Sequence, residues 1–196
     1  MGKIRCIGVI PVRMKSTRLP GKPLKDIAGK SLVRRVWERA ALATQLSDVV
    51  IATEDQEIVA HAESFGARVL LTRSDHLTGS DRVAEVMQRL HEAGFQEKGV
   101  QTQLIANIQG DMPFINPEVI DRAVTLLAEA PETVGMSTVA TPISSYDDFI
   151  KPSVVKVVVG EAGKALYFSR APIPFWREPS EVECSAEAPV GLKHMG

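Results

Sequence analysis

Four short strand-like runs at residues 4–10, 49–52, 68–71 and 104–108 alternate with stretches of helical periodicity, and this alternation limits what the chain can fold into. The first run, IRCIGVI, is rich in β-branched residues and ends at Pro11, which suits a buried strand. After Ser31 as a cap, Leu32, Val33, Val36, Trp37 and Ala40 recur at spacings of three and four, so they share one helical face, with Arg34, Arg35, Glu38 and Arg39 largely opposite. Thr53 and Gln56 read as a capping box that opens a second helix burying Ile58, Val59, Ala62 and Phe65. Val83, Val86, Met87 and Leu90 mark a third helix beginning near Ser80. Asn116 and Pro117 place a cap and a first-position proline before Val119, Ile120, Ala123, Val124 and Leu127. Strand and helix in strict succession imply an α/β, Rossmann-like architecture: a mostly parallel sheet with helices on both faces. Beyond Met136, strands at 137–140, 154–159 and 165–169, with turn signals such as Gly160 to Gly163 between them, predict a mixed edge with some antiparallel pairing. Residues 172–189, rich in Pro and Glu, read as a surface loop. With no repeat or linker, 1–196 reads as a single domain, long enough to bury about 70% of its unfolded surface.

In an open α/β sheet, ligands bind beyond the carboxyl ends of the strands, where loop amides and helix N-termini converge. Four connections would meet there: 11–30, 53–55, 77–82 and 109–111. The first contains Arg13, Lys15, Arg18, Lys22, Lys25 and Lys30 against Asp26 alone, a local charge of +5 in a chain whose net charge is −1. A connection of about twenty residues is uncommon in a compact domain unless it is functional or disordered. Pro11, Pro20, Pro23, Gly21 and Gly29 stiffen and shape this one. Its clustered cations suit a polyphosphate, the other reading being a solvated basic loop. Gly29-Lys30-Ser31 imitates the tail of a P-loop, but the motif's first glycine would fall at Leu24, so it fails. Asp111, directly after a strand and a glycine, reads either as a hard oxygen ligand for magnesium or as a turn residue. Ser80 and Arg82 read either as pocket residues or as a cap and a solvated first-turn residue.

Other chemistries find little support. A pI near 6.4 argues against a globally basic nucleic-acid binder, and no apolar run reaches the length of a membrane span. The N-terminal run is too short, and too soon followed by Arg13, for a signal peptide. Cys6 and Cys184 form no CxxC or Cys/His cluster, which points to bystander thiols in a reducing cytoplasm. GxSxG and HExxH are absent, and His61, His76, His91 and His194 are scattered. Phosphate handling by cations and magnesium remains.

The ordered segments IPVRMKSTRLPGKPLKDIAGKSLVRRVWERA, VIATEDQEI, FGARVLLTRSDHLTGSDRVAEV, NIQGDMPFINPEVID, KVVVGEAGKALYFSRAPIPF and KHMG closely resemble the 3-deoxy-manno-octulosonate cytidylyltransferases, or CMP-Kdo synthetases. The resemblance runs from end to end, and YFSRAPIP with the later KHMG separates it from general sugar nucleotidyltransferases. It implies the nucleotide-diphospho-sugar transferase fold, usually as a homodimer, in a single nucleotidyltransferase domain. It implies activation of the sugar acid Kdo by CTP, giving CMP-Kdo and pyrophosphate for lipopolysaccharide assembly, with magnesium required. Position by position, Arg13, Arg18 and Lys22 would bind the CTP phosphates, and Asp111 would hold magnesium. Gly79, Ser80, Arg82 and Gln109 would belong to the nucleotide pocket, and Arg170 and His194 to the sugar-acid side. Family members continue past the His-x-Gly motif into further strands and a helical segment that carries a second metal-binding aspartate and part of the dimer interface. The resemblance therefore implies an incomplete metal site within 1–196. It leaves two alternatives: a cytidylyltransferase for another acidic sugar, and a truncated, non-catalytic nucleotide-binding fragment.

Overall fold

The computed structural model describes residues 3–15, 19–93, 100–175, 177 and 191–195. Contacts divide the chain into two compact units, Met1–Gly135 and Met136–Gly196.

In the first unit, β1 (Lys3–Pro11), β4 (Leu46–Thr53), β5 (Arg68–Leu71) and β6 (Val100–Asn107) form a parallel sheet in the order β5-β4-β1-β6. Helices α1 (Leu32–Ala40), α2 (Gln56–Ser64), α3 (Gly79–Glu92) and α4 (Pro117–Glu129) connect and cover it. Successive strand residues point to opposite faces, and the core divides accordingly. Cys6, Ile10, Val49 and Ile51 pack with Leu32, Val33 and Val36 of α1, Ile58 and Ala62 of α2, and Ile120 and Val124 of α4. Ile7, Val9, Val50 and Ala52 pack with Val83, Val86 and Leu90 of α3. Fully burying a side chain of this kind contributes about 1.5–3 kcal/mol, so each helix is held chiefly by its apolar stripe. Helices thus cover both faces, as expected.

Two expected helix starts hold. Ser31 Oγ accepts from Arg34 N at 3.3 Å, and Asn116 Oδ1 accepts from Glu118 N at 3.2 Å with Pro117 at the first helical position. Two others differ. Asp55, not Thr53, occupies the N-cap of α2 and makes no side-chain cap bond there. The Thr53 hydroxyl instead accepts from Asp55 N at 3.1 Å, and the Asp55 carboxylate accepts from Met14 N at 2.7 Å. The cap of α3 is Thr78, in a reciprocal capping box with Asp81, which places Ser80 inside the first turn. Arg82 is not solvated: it is buried, and three acceptors from two neighbouring stretches, Glu54 after β4 and Thr72 and Arg73 after β5, take its guanidinium.

The long connection after β1 is built, not loose. It contains a 3-10 turn at Lys22–Leu24 and a hairpin of β2 (Asp26–Ile27) and β3 (Lys30–Ser31). Gly21 has φ +68° at the entry to the 3-10 turn and Gly29 has φ +82° in the hairpin turn, conformations that glycine adopts without strain.

The second unit contains β7 (Ala140–Pro142), α5 (Tyr146–Ile150), β8 (Lys156–Val159), β9 (Ala165–Ser169) and β10 (Leu192–His194). These strands form an antiparallel sheet in the order β7-β10-β8-β9. The expected antiparallel pairing is therefore present, in a sheet of its own instead of an edge on the parallel one. The strand expected at 165–169 is found there, whereas those expected at 137–140 and 154–159 begin at Ala140 and Lys156. Most of the loop expected at 172–189 lies outside the described residues. Among the described residues, no helix is long and apolar enough to cross a membrane.

Candidate nucleotide site

The sheet order reverses at β1, which is flanked by β4 on one side and β6 on the other. Crevices at such a switch point, beyond the strands' carboxyl ends, are where open α/β sheets bind ligands. The connection after β1 and the turn after β6 both leave the sheet there, in register at Val9 and Asn107.

These segments are joined by specific contacts. Lys22 Nζ donates to Asp111 Oδ2 at 2.8 Å, and the two side chains remain 37% and 56% exposed, within reach of a ligand. The 3-10 turn that presents Lys22 is anchored by Gly21 N donating to Met14 O at 3.1 Å, and Met14 is itself held by Asp55. Arg35 of α1 clamps the following hairpin, with Nε and Nη2 donating to Ile27 O and Nη2 also to Ala28 O at 2.6 Å. The turn after β6 approaches β1 so closely that a methyl group on Gly110 would lie 2.4 Å from Val12 Cγ1 and 3.0 Å from Pro11 O. A methyl on Gly79, in the first turn of α3, would lie 3.4 Å from the Pro11 ring. All four expected connections therefore gather at the end of β1.

Arg13 is exposed and has no hydrogen-bond partner among the described residues, Ser80 is exposed, and Gln109 is half-buried. Arg18 lies outside the described residues. Arg82 faces inward: Nη2 pairs with Glu54, while Nη1 donates to Thr72 Oγ1 and to Arg73 O. A neighbouring pair, His76 and Glu85, has largely covered side chains, and Glu85 accepts from Arg73 N at 3.0 Å. Burial pushes the Glu85 carboxyl up, but hydrogen bonds from His76 and Arg73 N and the charge of Arg89 together hold it below its ordinary value. The stretch before α3 is thus fastened by side chains of α3. The sequence places Glu54 at the strand ends within 53–55 but assigns it no partner, and it gives no role to Thr72 or to the His76–Glu85 pair.

Among the described residues, no group of three His, Cys, Asp or Glu side chains could enclose a metal. Asp111 offers one exposed carboxylate at the strand ends, which fits an ion that takes one or two carboxylates and fills its shell with phosphate and water. Cys6 is a core residue whose thiol burial pushes up to about 11 despite a lowering backbone hydrogen bond with Ala106, so it is poorly suited to nucleophilic or ligand chemistry.

In the second unit, Arg170 follows β9 and His194 ends β10, on either side of β8. Arg170 Nη1 donates to Pro152 O at 2.8 Å. His194 Nε2 is 2.7 Å from Thr138 Oγ1, and its ring meets Phe168 edge-on with centroids 5.2 Å apart.

A family profile described as cytidylyltransferase matches residues 7–194. A 3-deoxy-manno-octulosonate cytidylyltransferase of Solibacter usitatus is 46% identical over 192 residues, which cover 98% of this chain and 69% of that protein. The protein of the same name from Syntrophotalea carbinolica is 46% identical over 96% of this chain and 72% of its own length. Among solved structures, a CMP:2-keto-3-deoxy-manno-octonic acid synthetase complexed with CTP superposes with a TM-score of 0.83 at 36% identity, covering 98% of this chain and 72% of that one.

Proposed function

The chain belongs to the cytidylyltransferase family, and from that premise we propose that it transfers CMP from CTP to the sugar acid Kdo, giving CMP-Kdo and pyrophosphate for lipopolysaccharide assembly. The observation that carries the reading is the exposed Lys22–Asp111 pair at the junction of β1 and β6, in a connection dense with cations. Arg13, Arg18 and Lys22 meet the triphosphate, and Gly79, Ser80 and Gln109 contact the nucleotide. Arg82 supports that pocket from beneath, by holding Glu54 and Thr72.

The anomeric hydroxyl of Kdo attacks the α-phosphorus of CTP in line, and the bond from that phosphorus to the bridging oxygen breaks as pyrophosphate leaves. The protein has little covalent work to do. Its residues position the triphosphate and place positive charge where negative charge develops. Lys22 is the group assigned to the leaving pyrophosphate. Asp111 would hold magnesium, which when bound neutralises phosphate charge. Arg170 and His194 are assigned to the sugar acid, the planar fork of Arg170 suiting its carboxylate.

A magnesium-dependent cytoplasmic homodimer that binds neither nucleic acid nor membrane belongs to the same reading; the near-neutral net charge speaks against nucleic acid, and two thiols outside any paired motif fit a reducing cytoplasm. Pyrophosphate release from CTP is the test, run with Kdo, with another acidic sugar, and with EDTA followed by magnesium. Release with Kdo that depends on magnesium is expected. Preference for the other sugar would shift the substrate, and CTP binding without release from any pair would leave a nucleotide-binding module.

A further inference from the structure

Lys156 is 0% exposed in the central part of the antiparallel sheet, although lysine is among the side chains least often fully buried. An ammonium has three N–H bonds, and three backbone carbonyls take them: Lys151 O at 2.9 Å, Val154 O at 2.7 Å and Arg170 O at 2.7 Å. No carboxylate pairs with it among the described residues; Asp148, one of the two acids of α5, is engaged by Lys151 and Lys193. Burial, and then the charge of Arg170, lower its pKa. A buried cation held by carbonyls alone is unfavourable next to an apolar side chain of the same size, so packing does not account for it.

The contacts point to what the ammonium holds. Lys156 lies opposite Ser169 in the β8–β9 register, one residue before Arg170, and it ties the Arg170 carbonyl to the 151–154 stretch. The Arg170 guanidinium returns to that same stretch through Nη1 and Pro152 O. Backbone and side chain of Arg170 are thus fastened to one loop, with the Lys156 ammonium between them. Nη1 is the only guanidinium nitrogen in a hydrogen bond among the described residues, which leaves the rest of the fork for a carboxylate.

We propose that Lys156 is a positioning residue for the sugar acid: its ammonium fixes Arg170 so that the guanidinium meets the substrate's carboxylate in one orientation. This rests on the assignment of Arg170 to the sugar acid. Lys156 makes no contact with the substrate itself.

The test compares Lys156→Met, Arg170→Ala, the double variant and Pro152→Gly in the full chain. Kdo affinity is read as KM in pyrophosphate release and as Kd by calorimetry, beside the same constants for CTP. Lys156→Met should weaken Kdo about tenfold, the size of one charge-assisted contact, and leave CTP unchanged. In the Arg170→Ala background it should add nothing, because its effect passes through Arg170. Equal weakening of Kdo and CTP, or a fall in thermal stability with unchanged Kdo constants, overturns the proposal while leaving the Arg170 assignment in place. Unchanged Kdo constants in Arg170→Ala overturn the assignment, and the proposal with it. If Lys156→Met does not fold, the exposed Pro152→Gly, which loosens the same loop, decides: Kdo should weaken about threefold, and no change refutes the positioning role.

Discussion

Replacing Lys22 with Ala should separate catalysis from stability sharply. The ammonium is 37% exposed and its partner Asp111 56% exposed, so their 2.8 Å pair is a surface ion pair screened by solvent. Such pairs contribute about 0–1 kcal/mol. For a domain of this size, the loss lowers the melting temperature by at most about 4 °C. The 3-10 turn is held by backbone bonds, Gly21 N to Met14 O and Leu24 N to Gly21 O, which the substitution leaves intact. Catalysis should respond very differently. A preorganised charge aimed at a leaving group that gains charge in the transition state contributes about 3–4 kcal/mol, or 10²–10³ in turnover. Steady-state pyrophosphate release with CTP and Kdo, run beside a thermal melt, gives both quantities on one preparation. Turnover within about threefold of the parent protein, in a variant melting within a few degrees of it, would refute the assignment of Lys22 to the leaving group.

Gly110→Ala places a methyl group 2.4 Å from Val12 Cγ1 and 3.0 Å from Pro11 O, so the turn must move; a loss of about 1–3 kcal/mol by urea unfolding and a larger relative loss of turnover are expected, since Asp111 is the next residue. Arg82→Met leaves Glu54 buried without its partner and should cost about 3–5 kcal/mol in chemical denaturation, whereas the double variant with Glu54→Gln should recover part of that. Asp121→Ala removes acceptors for Thr44 N, Thr44 Oγ1 and Gln45 N and should cost about 1 kcal/mol at pH 7. Burial raises the Asp121 pKa, but those bonds outweigh it and leave it lowered, so its stabilisation is present above the unfolded value of about 4 and lost as pH falls through the folded value. Unfolding curves of the parent and Asp121→Ala proteins should therefore converge at acidic pH and separate towards neutrality.

What was legible in the sequence divides by the range of the interactions involved. The sheet and helices of the first unit were readable because apolar spacing at Leu32, Val33 and Val36, or at Val83, Val86 and Leu90, is a property of a few adjacent turns. The charge of the 11–30 connection was equally local, and it led to Lys22 and to the turn carrying Asp111. Thr53 and Gln56 matched the capping pattern yet form no box, because the helix starts at Gln56 behind Asp55 and the Thr53 hydroxyl accepts from Asp55 N, while the Asp55 carboxylate is drawn to Met14, forty-one residues away. Thr78 was passed over because its partner is Asp81 in place of the usual Glu or Gln. The extra sheet went unseen since α5 and β10, of five and three residues, are too short for a period to register. The buried cations were the hardest to place. Arg82 needs Glu54, and Lys156 needs the carbonyls of Lys151, Val154 and Arg170; neither requirement is visible in the residues beside them, though a lysine preceding three valines was a sign. The division has a functional logic. Groups that meet a charged ligand must stay exposed, so their clustering survives as a local excess in the sequence. Charges that hold those groups in place are desolvated by partners recruited across the fold, so they become visible only when the chain is folded.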